Sequence, residues 1–148
     1  MRIMDTEYFV QHIQCTRDAK NECLVTVRKL LELAFAARRF GLLKMDELIE
    51  DRARFPDQFL RKAVSMVVEI SDPDKIREVL YNYIFTSSYV SNQQFLNWVL
   101  ITETMIAISQ SEDLDFVFTY LVPSFFGFEY DVEAIRLYRQ YKQSMNRQ

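Results

Sequence analysis

Two glycines and three prolines in 148 residues leave this chain few means of making tight turns. Hairpins and long loops draw on glycine for positive φ and on proline for a fixed φ, so a sheet-rich fold would need more of both. The apolar periodicity points the same way. Tyr8, His12, Cys15, Ala19, Cys23, Val27, Leu30, Ala34 and Ala37 recur at steps of three or four, a core-facing stripe along a helix. Residues 5–40 read as one long helix, with Asn21 its candidate break. Arg38 and Arg39 fall in the last turn, where cations suit the negative end of the dipole, and Gly41 is placed to take a left-handed cap.

Further helices follow at Lys44–Arg52 and, after Phe55-Pro56, at Asp57–Ile70. Ser71-Asp72-Pro73-Asp74 is a helix start, with Ser71 as N-cap, proline in the first turn and acids at the positive dipole end. That helix runs to about Phe85, and Thr86-Ser87-Ser88 is a loop. Val90–Ser109 comes next, then a helix capped by Ser111-Glu112-Asp113 that ends near Pro123. The aromatic turn Phe125-Phe126-Gly127-Phe128 precedes a last helix, Glu129–Ser144. The expectation is an all-α, single-domain bundle of about six or seven helices. Its parts are a long helix over 1–40, a middle over 41–85 and C-terminal helices over 86–148. Val67-Val68-Glu69-Ile70-Ser71-Asp72-Pro73 faintly echoes Met105-Ile106-Ala107-Ile108-Ser109-Gln110-Ser111, a similarity that apolar helices ending at a serine cap produce by coincidence.

A chain of this length buries about 70% of the surface its unfolded form exposes, enough for a core without staples. The formal net charge of −3 is too small to steer nucleic acid or a membrane. The charge is unevenly spread, however. Residues 63–135 hold eleven acids and only two basic residues, Lys75 and Arg77, whereas the tail from Arg136 onward holds four basic residues and no acid. An acidic middle argues against a nucleic-acid groove there. Cys15 and Cys23 lie eight residues apart on the helical pattern, too far for a disulfide, and reduced thiols imply a cytoplasmic protein. The opening, with Arg2, Asp5 and Glu7, carries no signal-peptide run. The most apolar region, Tyr89–Gln110, is interrupted by Ser91, Asn92, Gln93, Gln94, Asn97, Thr102 and Glu103 and is no membrane span.

Few residues suggest chemistry. His12 is the only histidine; with Cys15 at i+3 and Tyr8 at i−4 it offers at most two ligands, short of what zinc needs. Cysteine–histidine catalysis would need an exposed thiolate and a third, orienting group. Gly41 and Gly127 stand alone, so no glycine-rich phosphate loop is present. Asp46 with Glu50, and Glu47 with Asp51, pair carboxylates at i, i+4, the pattern of dipole-facing acids on a surface helix. Seven aromatic rings crowd residues 116–130; most are core, and any that face outward would mark an interface. The last helix, with Tyr138 and Tyr141 against Arg136, Arg139 and Lys142, is a core element that doubles as a candidate docking helix.

Arg38-Arg39-Phe40-Gly41-Leu42-Leu43-Lys44-Met45-Asp46 resembles the cytoplasmic part of the flagellar stator A subunit, the MotA family, with its Arg-x-x-Gly-Leu-Leu-x-Leu-Glu run. The family continues with Phe-Leu-Arg, Val-Val-Asp-Gly-x-Asp-Pro and Ile-Arg-x-x-Leu. Phe59-Leu60-Arg61, Val67-Val68-Glu69, Ser71-Asp72-Pro73 and Ile76-Arg77-Glu78-Val79-Leu80 are similar to these. A second family segment resembles Ile101–Ile108 with Ser111-Glu112-Asp113. The chain lacks the family's membrane helices, and Ser71 and Thr104 replace family glycines, so ion-driven torque is not implied. What the resemblance implies is a rotor-facing charge pair, Arg38 and Asp46, brought near each other at the surface and flanked by Arg39, Glu47 and Glu50. The expected function is accordingly non-catalytic: a protein-interaction or structural component of the flagellar motor, partnered by a rotor or switch protein and needing no cofactor or metal. The alternatives are a self-associating helical scaffold unrelated to motility and, last, a small enzyme built around His12 and Cys15.

Overall fold

The computed structural model describes residues 6–87 and 90–147, and every regular element among them is helical. The order is α1 (Thr6–Ile13), α2 (Arg17–Phe40), α3 (Leu43–Leu48), α4 (Gln58–Glu69), α5 (Pro73–Thr86), α6 (Asn92–Ser109), α7 (114–124) and α8 (Asp131–Asn146). A 3₁₀ turn, Phe128–Tyr130, leads into α8. The first expected helix is in fact two, and the break falls at Gln14-Cys15-Thr16 rather than near Asn21. Thr16 is extended (φ −67°, ψ 164°) and its hydroxyl accepts from the Ala19 N–H at 3.2 Å, an N-cap that restarts the helix. Cys15 therefore lies in the break and not on the face that carries Cys23; both are free thiols. Arg2 and Asp5 of the polar opening, and Ser88 of the expected loop, lie outside the described residues.

Carboxylate caps start three of the other helices. Asp57 accepts from Phe59 N–H at 2.8 Å, Asp72 from Asp74 at 2.9 Å and Asp113 from Asp115 at 2.9 Å. The cap of α5 is thus Asp72 and not Ser71. Pro73 sits in the first turn, and a proline forces the residue before it into the extended region an N-cap needs. Ser91 and Gln94 form a capping box at α6. Both glycines join helices at positive φ: Gly41 at φ 96°, ψ 164° and Gly127 at φ 98°, ψ 162°. These are extended glycine corners, not the left-handed cap expected at Gly41, although the Gly41 N–H still closes on the Ala37 carbonyl at 2.8 Å. Within α7, Pro123 has no N–H to give and its ring would meet the Thr119 carbonyl. The helix widens to π over Val117–Leu121, and the Val122 N–H reaches back five residues to Val117.

The centre of the molecule is α6. Eleven of its residues, including Phe95, Leu100, Ile101, Met105 and Ile108, are buried, on every side of the helix. An all-round apolar helix must be covered all round, and α1, α2, α4 and α5 pack against it. α8 packs on α2 and α7 instead, burying Ala134 and Tyr138. The one charged residue of α6, Glu103, is nearly enclosed. Arg77 on α5 donates from Nε at 3.1 Å and from Nη2 at 3.1 Å, and the Tyr81 hydroxyl donates at 2.7 Å. Burial and then Glu103 push the Tyr81 phenol well above its ordinary range, so it stays a donor. No helix among the described residues is long and apolar enough to cross a membrane.

Thr102 and Thr104 are both fully buried on α6. Thr102 donates to the Trp98 carbonyl at 2.8 Å, whereas the Thr104 hydroxyl has no partner. An unsatisfied buried hydroxyl costs about 1–3 kcal/mol. Thr104→Val, which keeps the shape and removes that group, is expected to stabilise the fold by about 1 kcal/mol in urea unfolding, and Thr102→Val is expected to gain less.

Candidate functional site

The corner at Gly41 brings together the last turn of α2 and all of α3. Its composition follows from local rules: a cationic last turn, a glycine that ends the helix, and acids on the helix that restarts. The side chains do not arrange themselves as a charge pair, however. Arg38 turns across the molecule to the end of α6, donating from Nη1 to the Ile108 carbonyl at 2.9 Å and from Nη2 to the Glu112 carbonyl at 2.6 Å. The last carbonyls of a helix lack partners within it, and a guanidinium carries several donors in a fixed fork. The carbonyls, and not the half-buried Asp46 carboxylate, hold this arginine. Partial burial lowers the Arg38 pKa, and Asp113 opposes that shift. No ion pair joins Arg38 to Asp46 among the described residues.

Asp46 faces a different set of charges. α3 packs on α2 and α4, which places Asp46 near Glu69 at the end of α4. Its carboxyl is pushed up from the usual carboxylate range by burial, then by the charges of Glu69 and Glu50. Glu47 is tied to Lys44 at 3.0 Å, while Glu50 is exposed. Arg39 stays at the surface with its guanidinium carbon 5.2 Å from the Phe40 ring centroid, and the Lys44 ammonium lies 5.8 Å from the same ring. The corner thus has a cationic, apolar half and an acidic half.

Two residues that sequence reasoning passed over stand out here. Phe40 is 64% exposed and Leu43 is 70% exposed, one on each side of Gly41. The usable signal was the glycine itself, because the apolar stripe of α2 ends at Ala37 and nothing beyond it repeats the core period. The aromatic stretch is less of a core than expected: Phe118, Phe126 and Tyr130 are buried, Phe125 is half-buried, and Phe116, Tyr120 and Phe128 are exposed.

The His12 region is organised for packing. The His12 ring stacks on Tyr8 with centroids 4.0 Å apart, and Nδ1 lies 2.8 Å from the Tyr8 carbonyl oxygen. The thiols point at the first turn of α6: Cys15 Sγ donates to the Asn92 carbonyl at 3.1 Å and Cys23 Sγ to the Gln93 carbonyl at 3.6 Å. Burial pushes both thiols up, Cys23 to about 12, opposite to the shift that makes a nucleophilic thiolate. Among the described residues no three His, Cys, Asp or Glu side chains gather as metal ligands. No protein-family model, curated protein or solved structure matches the chain.

The raised Asp46 pKa has a definite pH signature. Between the ordinary carboxylate pKa and the raised one, the folded state holds a proton that the unfolded chain has released, so stability falls as pH rises through that window. Asp46→Asn should therefore be more stable than the parent at neutral pH. That advantage should vanish at about pH 3, where both states hold the proton; urea unfolding at the two pH values checks it.

Proposed function

We propose that this chain is a non-catalytic protein-interaction component that docks on a protein partner through the α2–α3 corner. The observation that carries the reading is the pair Phe40 and Leu43, two large apolar side chains left in water on either side of Gly41. Exposed apolar groups rimmed by charge are the ordinary make-up of an interface centre, with apolar anchors supplying affinity and charges supplying orientation. Arg39 and Lys44 rim these anchors on one side, and Asp46, Glu47 and Glu50 follow along α3. Arg39, Phe40, Leu43, Lys44 and Asp46 lie in the nine-residue run Arg38–Asp46 that resembles the stator A subunit, which makes a flagellar rotor or switch protein the favoured partner. In that reading Asp46 keeps the acidic role. The cationic role passes to Arg39 and Lys44, since Arg38 is held on α6.

Phe40→Glu and Leu43→Glu are each expected to weaken capture of the rotor switch protein about tenfold or more while leaving the unfolding midpoint nearly unchanged. Arg38→Ala is expected to lower stability first, through the bonds to the Ile108 and Glu112 carbonyls that it removes. Quantitative co-purification alongside urea unfolding separates the two effects. Undiminished capture by both glutamate variants rules the corner out as the interface.

A further inference from the structure

The charge segregation read along the chain survives folding. Of the basic residues from Arg136 onward, Lys142 meets an acid, Asp115, at 3.0 Å, and the Tyr138 hydroxyl joins the same carboxylate. Arg136 and Arg139 are exposed and make no ion pair among the described residues, and neither does Arg28 on α2. Arg28 and Arg136 face each other across the groove between α2 and α8, a cavity of about 440 Å³ floored by Leu24, Val25 and Leu137. Glu133 is the single acid among its described lining residues. A second hollow of about 430 Å³ continues it, sharing Arg28, Leu137 and Gln140.

On α5, Glu78 is exposed with no ion pair among the described residues, Asp74 one turn before it pairs with Arg77 at 3.7 Å, and Lys75 is exposed between them. Val79 and Tyr83 are exposed beside Glu78 at i, i+4 spacing. This is an amphipathic face on a helix that ends at Thr86, and Glu78 is its acid left without an ion pair. α6 packs on both α5 and α2, and α2 with α8 walls the cationic groove, so the two surfaces are distinct.

We propose that the chain self-associates head to tail, with α5 of one copy lying in the α2–α8 groove of the next. Glu78 meets Arg28 and Arg136, and Val79 and Tyr83 cover the Val25 and Leu137 floor, as an amphipathic helix fills a groove. Because the two surfaces differ, the contact is heterologous and propagates into a ring or an open chain. The α2–α3 corner takes no part, so this inference stands or falls separately from the proposed partner docking.

Sedimentation velocity over a concentration series at low ionic strength tests it. The parent chain should gain mass with concentration and lose it in high salt, as exposed charge pairs are screened. Arg28→Glu and Glu78→Arg should each weaken association about tenfold or more, with Arg136→Glu as a second groove variant and circular dichroism confirming that each is folded. The chain carrying both Arg28→Glu and Glu78→Arg should regain assembly, because every contact again joins opposite charges. An equimolar mixture of the two single variants should also regain assembly, with the two variants alternating, since each intact α5 face meets an intact groove and each reversed face meets a reversed groove. A parent chain that stays monomeric throughout overturns the proposal. So do single variants that assemble like the parent, or a double variant no better than the singles.

Discussion

A helix that is apolar on all sides has to be surrounded, and the burial of α6 is the constraint on which the other elements depend. Four helices cover most of it, and two of them also meet its polar groups. α5 brings Arg77 and Tyr81 to the Glu103 carboxylate. α2 sends Arg38 to the Ile108 carbonyl near the C-terminal end, and its Cys23, with Cys15 just ahead of it, donates to carbonyls of the first turn. Removing one partner from an enclosed charged group costs far more than the pair contributes. The Glu103 cluster therefore locks α5 to α6 in one register. The hydroxyl of Thr104 and the Asn97 side-chain oxygen are the exceptions among buried side-chain groups of the described residues.

Use of Arg38 inside the fold shapes the surface that remains. Once its guanidinium is committed to α6, the Gly41 corner shows water a ring, a leucine and the cations beside them, followed by acids that repel one another. Mutual repulsion among Asp46, Glu50 and Glu69 is relieved by any cation placed there, which gives the acidic half an electrostatic preference for a basic counterpart.

Much of this was legible in advance. The helical class follows from scarce turn residues and a step of three or four, and the starts of α4 and α7 follow from Asp57 and Asp113 ahead of apolar runs, whereas at α5 the cap is Asp72 and not the expected Ser71. The break at Thr16 was equally written in the chain, since threonine is a good cap, but an unbroken stripe from Tyr8 to Ala37 concealed it. Cap and stripe are read from different atoms, backbone donors in one case and side-chain volume in the other, so one can persist where the other ends. The direction taken by Arg38 was not legible, because a residue seventy positions away supplies its acceptor.

Local physical chemistry determined where helices begin and end, which faces are apolar, and that charge is segregated between the middle and the tail. Those properties depend on neighbours within one or two turns, which any reader of the chain can inspect. Only tertiary structure decided which helix sits at the centre, which charges are consumed internally and which apolar residues stay in water. Those outcomes depend on carbonyls, carboxylates and rings brought together from distant positions. Arg38 and Phe40, two residues apart, illustrate the division: similar local settings, one side chain fixed to the α6 end and the other left exposed.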